Sequence, residues 1–172
     1  RKILSGRLSA TAWHRFTTEA RLTARLDHPG VVPVYDFGVL PDGRPWFTMK
    51  KVEGTTLTEQ IARSRLAGAR GLRRLVSALH RASEAIAYAH EQGVLHRDLK
   101  PDNIMVGAFG QVYVVDWGIA RLTETLEIEP DMPGQPASMT RAGAVFGTPQ
   151  YMAPEQATGQ NDAVGPATDV YG

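Results

Sequence analysis

The chain has 172 residues, of which 42% are hydrophobic and 22% charged, and its formal net charge is +1. That length supports one sizeable domain with its own core, and the composition excludes wholesale disorder. The near-neutral balance excludes a global basic field for nucleic acid or anionic lipid.

Residues 12–26 place Trp13, Phe16, Ala20 and Leu22 at helical spacing, which predicts a helix. Asp27-His28-Pro29-Gly30 stops it, because proline and glycine both break helical geometry. Residues 31–37 are rich in valine and aromatics and read as a strand, and residues 46–52 read as a second. Pro41-Asp42-Gly43-Arg44 between them is a turn signal, so the pair suggests a hairpin. Residues 57–66 read as a short helix, and the small, basic stretch 68–74 as a loop. Residues 72–91 carry the longest helical pattern, with Leu75, Leu79, Ala82, Ile86 and Ala89 on one face. Gly93 is placed to cap that helix in the left-handed conformation. Residues 104–106 and 112–115 are two short strands joined by Gly107-Ala108-Phe109-Gly110. Periodicity vanishes over 122–139, where Pro130, Pro133, Gly134 and Pro136 mark a loop unusually long for a compact domain, of a kind that is either functional or disordered.

Cysteine is absent, which excludes disulfides and thiolate metal sites and agrees with an intracellular protein. No apolar stretch reaches the length of a membrane span, and residues 1–6 are too short and polar for a signal peptide. The first residue is not Met, and the chain stops at Asp169-Val170-Tyr171-Gly172 with its pattern unfinished. The expectation is a piece of a longer protein.

The chemistry concentrates in two segments. Residues 96–103 read His-Arg-Asp-Leu-Lys-Pro-Asp-Asn, and Asp116-Trp117-Gly118 follows. An ordinary aspartate is ionised at neutral pH, so Asp98 can orient a hydroxyl and accept its proton. Alone, Asp98 would read as a turn residue capping a backbone group. Asn103 and Asp116 offer the oxygen ligands that a hard cation such as Mg²⁺ prefers.

In their order and separation, these segments resemble the catalytic loop and the metal-binding Asp-Phe-Gly turn of eukaryotic-type protein kinases. The wording of Gly147-Thr148-Pro149-Gln150-Tyr151-Met152-Ala153-Pro154-Glu155 is most similar to that of bacterial Hanks-type Ser/Thr kinases. The resemblance implies an α+β, two-lobed kinase fold truncated at both ends. Residues 1–49 would be the remainder of the small lobe, 50–54 the hinge, and 55–172 the first half of the large lobe, with an activation segment near 116–155.

It also implies roles. Asp98, Lys100, Asn103 and Asp116 would be the catalytic set, with Asn103 and Asp116 on magnesium. Glu19 would pair with a phosphate-holding lysine, for which Lys2 is the candidate. Lys50 and Val52 would meet the adenine edge through their main chain, behind Met49, and Met105 would lie under the ring. Lys100, followed by Pro101, is typical of Ser/Thr-directed members. Thr148 would hydrogen-bond Asp98 and Lys100, and Asp169 would anchor the catalytic loop. Arg97 would pair with a phosphate on the activation loop, with Thr140 the best acceptor. Glu155 would look for an arginine beyond Gly172.

Trp117 departs from the family, which usually has Phe there. It remains apolar, so function is expected to survive, with His96 packed nearby in a structural role. The implied activity is that of a non-specific protein serine/threonine kinase: ATP and Mg²⁺ as cofactors, and protein Ser/Thr hydroxyls as acceptors, autophosphorylation included. No nucleic acid partner is expected. The kinase domain would be cytoplasmic, within a full-length protein that can carry a membrane anchor elsewhere. The alternative is a pseudokinase or nucleotide-binding scaffold, with the 172-residue piece itself inactive. Intact Asp98, Asn103 and Asp116 weigh against it.

Overall fold

The computed structural model describes residues 2–3, 10–64, 68–117, 121–122 and 147–172. Its first unit contains β1 (Lys2–Ile3), α1 (Ala10–Arg25), β2 (Val34–Val39) and β3 (Pro45–Met49). The three strands form an antiparallel sheet in the order β1-β3-β2. One turn of α1 presents Phe16 and Ala20 to this sheet, and the Phe16 and Phe47 rings lie 4.9 Å apart. The expected hairpin is present, with Gly43 taking a φ of 83° in the turn between β2 and β3.

The second unit contains β4 (Thr55–Thr56), α2 (Leu57–Ser64), α3 (Gly68–Glu91), β5 (Val94–Leu95), β6 (Ile104–Val106), β7 (Val112–Val114), β8 (Arg121–Leu122), α4 (Pro154–Ala157) and α5 (Pro166–Tyr171). β4, β6 and β7 form one small antiparallel sheet, and β5 pairs with β8. The core lies where α3 crosses β6 and β7. The buried face of α3 is mostly alanine (Ala78, Ala82, Ala85 and Ala89), so neighbouring backbone can approach closely.

That close approach joins the two units. The backbone at Gly30 sits directly on α3, where a Cβ would fall 2.8 Å from the Cβ of Ala85. Gly30 O accepts the N–H of Val114 at 2.8 Å, and Val31 makes an isolated parallel bridge to Val114. The Asp27 N–H donates to Tyr88 Oη at 3.3 Å, and the His28 and Tyr88 rings stack at 5.2 Å. The segment that ends α1 is therefore bolted to α3 and β7.

Four sequence expectations need correction. The stretch 68–74 is not a loop but the first two turns of α3. Glycine costs about 1 kcal/mol in a helix; the surrounding Ala, Leu and Arg outweigh that cost, and Gly71 is buried. The strand expected over 31–37 begins only at Val34, because Val31 and Val32 are buried at the junction instead of joining the hairpin ladder. The strand expected over 46–52 ends at Met49. Leu79 also leaves the face assigned to it and is 54% exposed, with Leu72 and Val76 alongside.

Candidate active site

The segment from His96 to Asn103 links β5 to β6 and is held from several sides. Arg97 takes a φ of 69°, a left-handed conformation that a non-glycine residue adopts only when its neighbours enforce it. The enforcement is visible. The N–H groups of His96 and Arg97 donate to Asp169 Oδ2 and Oδ1 at 2.8 and 2.7 Å, and Gln156 Nε2 donates to Arg97 O at 2.7 Å. His90 Nε2 lies 2.8 Å from Asp169 Oδ2. Burial pushes the Asp169 carboxyl up, but the hydrogen bonds from His90, Arg97 and His96 outweigh it and hold it below the usual carboxylate range.

His96 is fully buried, and burial pushes its imidazole below the ordinary histidine range, so it is neutral. Its Nε2–H donates to Val115 O at 3.1 Å, which leaves Nδ1 to accept the Asp98 N–H at 3.3 Å. The Trp117 ring lies 4.7 Å from it, buried, with its indole N–H donating to Val114 O at 3.3 Å. His96 thus works as packing and as a turn partner.

Above this base lies a closed triangle. Lys100 Nζ donates to Asp98 Oδ2 at 2.7 Å and to Thr148 Oγ1 at 2.6 Å, and Thr148 Oγ1 donates to Asp98 Oδ1 at 2.7 Å. Burial pushes the Asp98 carboxyl up, but the hydrogen bonds from Lys100 and Thr148 and the lysine charge prevail, and it sits below its ordinary value. Asp98 is therefore a carboxylate at neutral pH, with both oxygens oriented. Gly147 precedes Thr148 at a φ of 123°, where a Cβ would meet Arg97 O at 3.1 Å.

Asn103 is buried and donates Nδ2 to Asp98 O at 2.8 Å, so its Oδ1 is the atom a cation would take. Asn103 O accepts the Val115 N–H at 2.9 Å, which sets the start of the Asp116 turn beside Asn103. Asp116 is exposed and has a φ of 64°. Among the described residues, no group of three or more His, Cys, Asp or Glu side chains could hold a metal ion. Two oxygen ligands are what Mg²⁺ takes from a protein when substrate phosphates and water complete its octahedron. The donor set fits that ion.

In the first unit, Lys2 Nζ donates to both carboxylate oxygens of Glu19, at 2.6 and 2.8 Å. Burial pushes the Glu19 carboxyl up, Lys2 opposes this, and the charge of Asp116 adds to it. The pair and the proposed metal ligand are close enough to feel one another. Lys50 reaches Tyr113, and Met105 pairs with Tyr113 across β6 and β7. Val52 is half-buried beyond the end of β3.

Arg97 is buried, and its guanidinium donates to Asn161 Oδ1 at 3.3 Å. Gly118 and Thr140 lie outside the described residues. Glu155 Oε1 accepts the Thr168 hydroxyl at 2.5 Å. Sequence reading missed the contributions of Gln156, His90, Asn161, Thr168 and Tyr113. Only the polarity of Gln156 and Thr168 within apolar surroundings could have flagged any of them.

A family model described as the protein kinase domain matches residues 2–172. A serine/threonine-protein kinase PknD of Protochlamydia amoebophila is 39% identical over 172 residues, covering 91% of this chain and 17% of the relative. One of Chlamydia caviae is 39% identical, with 91% and 18% covered. One of Chlamydia trachomatis serovar L2b is 35% identical over 191 residues, with 99% and 20% covered. The chain thus spans about a fifth of the length of the curated relatives it matches. With that match and this geometry together, the chain belongs to the protein kinase domain family.

Proposed function

We propose that this chain is the nucleotide-binding and catalytic part of a Hanks-type serine/threonine protein kinase. The observation that carries the reading is the triangle of Asp98, Lys100 and Thr148, which holds a carboxylate ionised beside a lysine. Asp98 orients the acceptor hydroxyl and takes its proton as the oxygen bonds the γ-phosphorus. The bond to the β-phosphate oxygen breaks, and ADP leaves. Lys100 offsets charge on the phosphoryl group in flight. Lys2, fixed by Glu19, holds the other phosphates. Lys50 and Val52 meet the adenine edge, and Met105 forms its floor. Asn103 and Asp116 would hold Mg²⁺, which screens the phosphate charge. In this reading residues 1–49 are the small-lobe part, 50–54 the hinge and 55–172 the large-lobe part.

The Ser/Thr direction is supported by the names of the relatives and by Thr148 on Asp98. Acceptors are protein hydroxyls, the kinase's own among them. No described helix is long and apolar enough to cross a membrane. Incubating the full-length protein with γ-labelled ATP, Mg²⁺ and a mixed protein acceptor tests the reading. Label on serine and threonine, lost on chelation, supports it; label confined to tyrosine, or no label, overturns it.

Regulation follows the same logic. A phosphate on Thr140 would compete with Asn161 for the Arg97 guanidinium and draw the activation segment onto the catalytic loop.

A further inference from the structure

Lys50 and Lys51 are adjacent but behave differently. Lys51 reaches only its neighbour Glu53, at 3.1 Å, with both side chains in solvent. Lys50 is tied at both ends. Its main-chain N–H donates to Pro33 O at 3.1 Å. Its ammonium donates to Tyr113 Oη at 2.7 Å and lies 4.9 Å from the centre of the tyrosine ring. The two residues are 63 positions apart, so the contact spans the junction between the units.

Tyr113 is a firm partner. It is largely buried in β7, directly opposite Met105, and lies three residues before Asp116. A lysine stem is flexible and its ammonium strongly hydrated, so an unpartnered Lys50 would leave this stretch of chain unbraced. Seated on the hydroxyl and over the ring of Tyr113, it links the connection after β3 to the strand that leads to the proposed metal-binding turn.

We propose that Lys50 is a positioning residue for the nucleotide: by bracing residues 50–52 against Tyr113, it fixes the height of the hinge main chain above Met105. The proposal rests on the reading of residues 50–54 as the adenine-binding hinge.

The test uses the full-length protein and steady-state kinetics in ATP. Lys50→Met is expected to raise KM for ATP about fivefold, as loss of a charge-assisted hydrogen bond would. The change in kcat at saturating ATP should be smaller, and KM for the protein acceptor should hold. Lys50→Arg, which can also donate to the hydroxyl and stack on the ring, should restore most of the loss. Tyr113→Phe keeps the ring and should give a smaller rise. Because both substitutions break one contact, the double variant should be no worse than Lys50→Met. Arg63→Met, which removes an exposed cation on α2 outside the hinge, should leave KM for ATP in place. Hydrogen exchange at residues 50–54, with and without Mg²⁺–ATP, separates the two ideas. Protection there with an unchanged KM in Lys50→Met, or with multiplying effects in the double variant, would overturn the brace alone. No protection in the wild type would remove the hinge reading and the brace with it.

Discussion

The carboxylate of Asp169 accepts the main-chain N–H of Arg97 at 2.7 Å, and Arg97 holds a φ of 69°. A buried aspartate from α5 thus supports a conformation that the segment from His96 to Asn103 would not keep unaided. Asp98, the next residue, inherits its direction from that arrangement.

Asp169→Asn would present an amide NH₂ to one of the two N–H donors and leave it unpaired in the interior. Stability is expected to fall by about 2–4 kcal/mol, measured by denaturant unfolding of the full-length kinase domain. The pH dependence should change as well. A carboxyl held below its unfolded value contributes stability that is present above the ordinary pKa of about 3.9 and lost as the pH falls through the lower folded value. Asp98, also held low, adds to the same acid limb. The variant should therefore lose part of the acid sensitivity and keep the remainder.

Thr148→Val keeps the shape of the side chain but removes the hydroxyl that touches both Lys100 and Asp98. Turnover should fall by about tenfold, and the acid limb of the kcat profile should move to higher pH as the Asp98 carboxyl rises toward its ordinary value. Thr148→Ser retains the hydroxyl and should stay within about twofold. Equal losses in both variants would assign Thr148 to packing.

Trp117→Phe restores the residue usual in the family. It removes the indole N–H bond to Val114 O and some volume beside His96. A cost of about 1 kcal/mol is expected, visible as a lowered Tm, with phosphoryl transfer preserved. Loss of transfer without loss of stability would mean that the indole does more than pack.

The candidate site was readily legible because its residues are nearly contiguous: His96 to Asn103 forms one turn-rich segment, and Asp116 follows one short hairpin later. The contacts that aim it were less legible. Gln156 and Arg97 are 59 positions apart, and Lys50 and Tyr113 are 63 apart. Such pairs leave no period in the chain. The strand error at Val31 and Val32 has a related cause. Valine signals a half-buried pleated surface, and these two are buried at a junction between units instead of in a ladder. The start of α3 was hidden by Gly68 and Gly71, since local propensity gives way to packing. Lys2 and Glu19 could be paired on the page only through resemblance; 17 residues separate them, and their 2.6 Å contact is tertiary.

The most direct measurement is single-turnover transfer of the γ-phosphoryl group by the full-length protein at saturating Mg²⁺–ATP, wild type against Asp98→Asn. The account expects the variant to bind ATP normally and to transfer about 10²–10⁴-fold more slowly. Transfer at the wild-type rate in Asp98→Asn would contradict it.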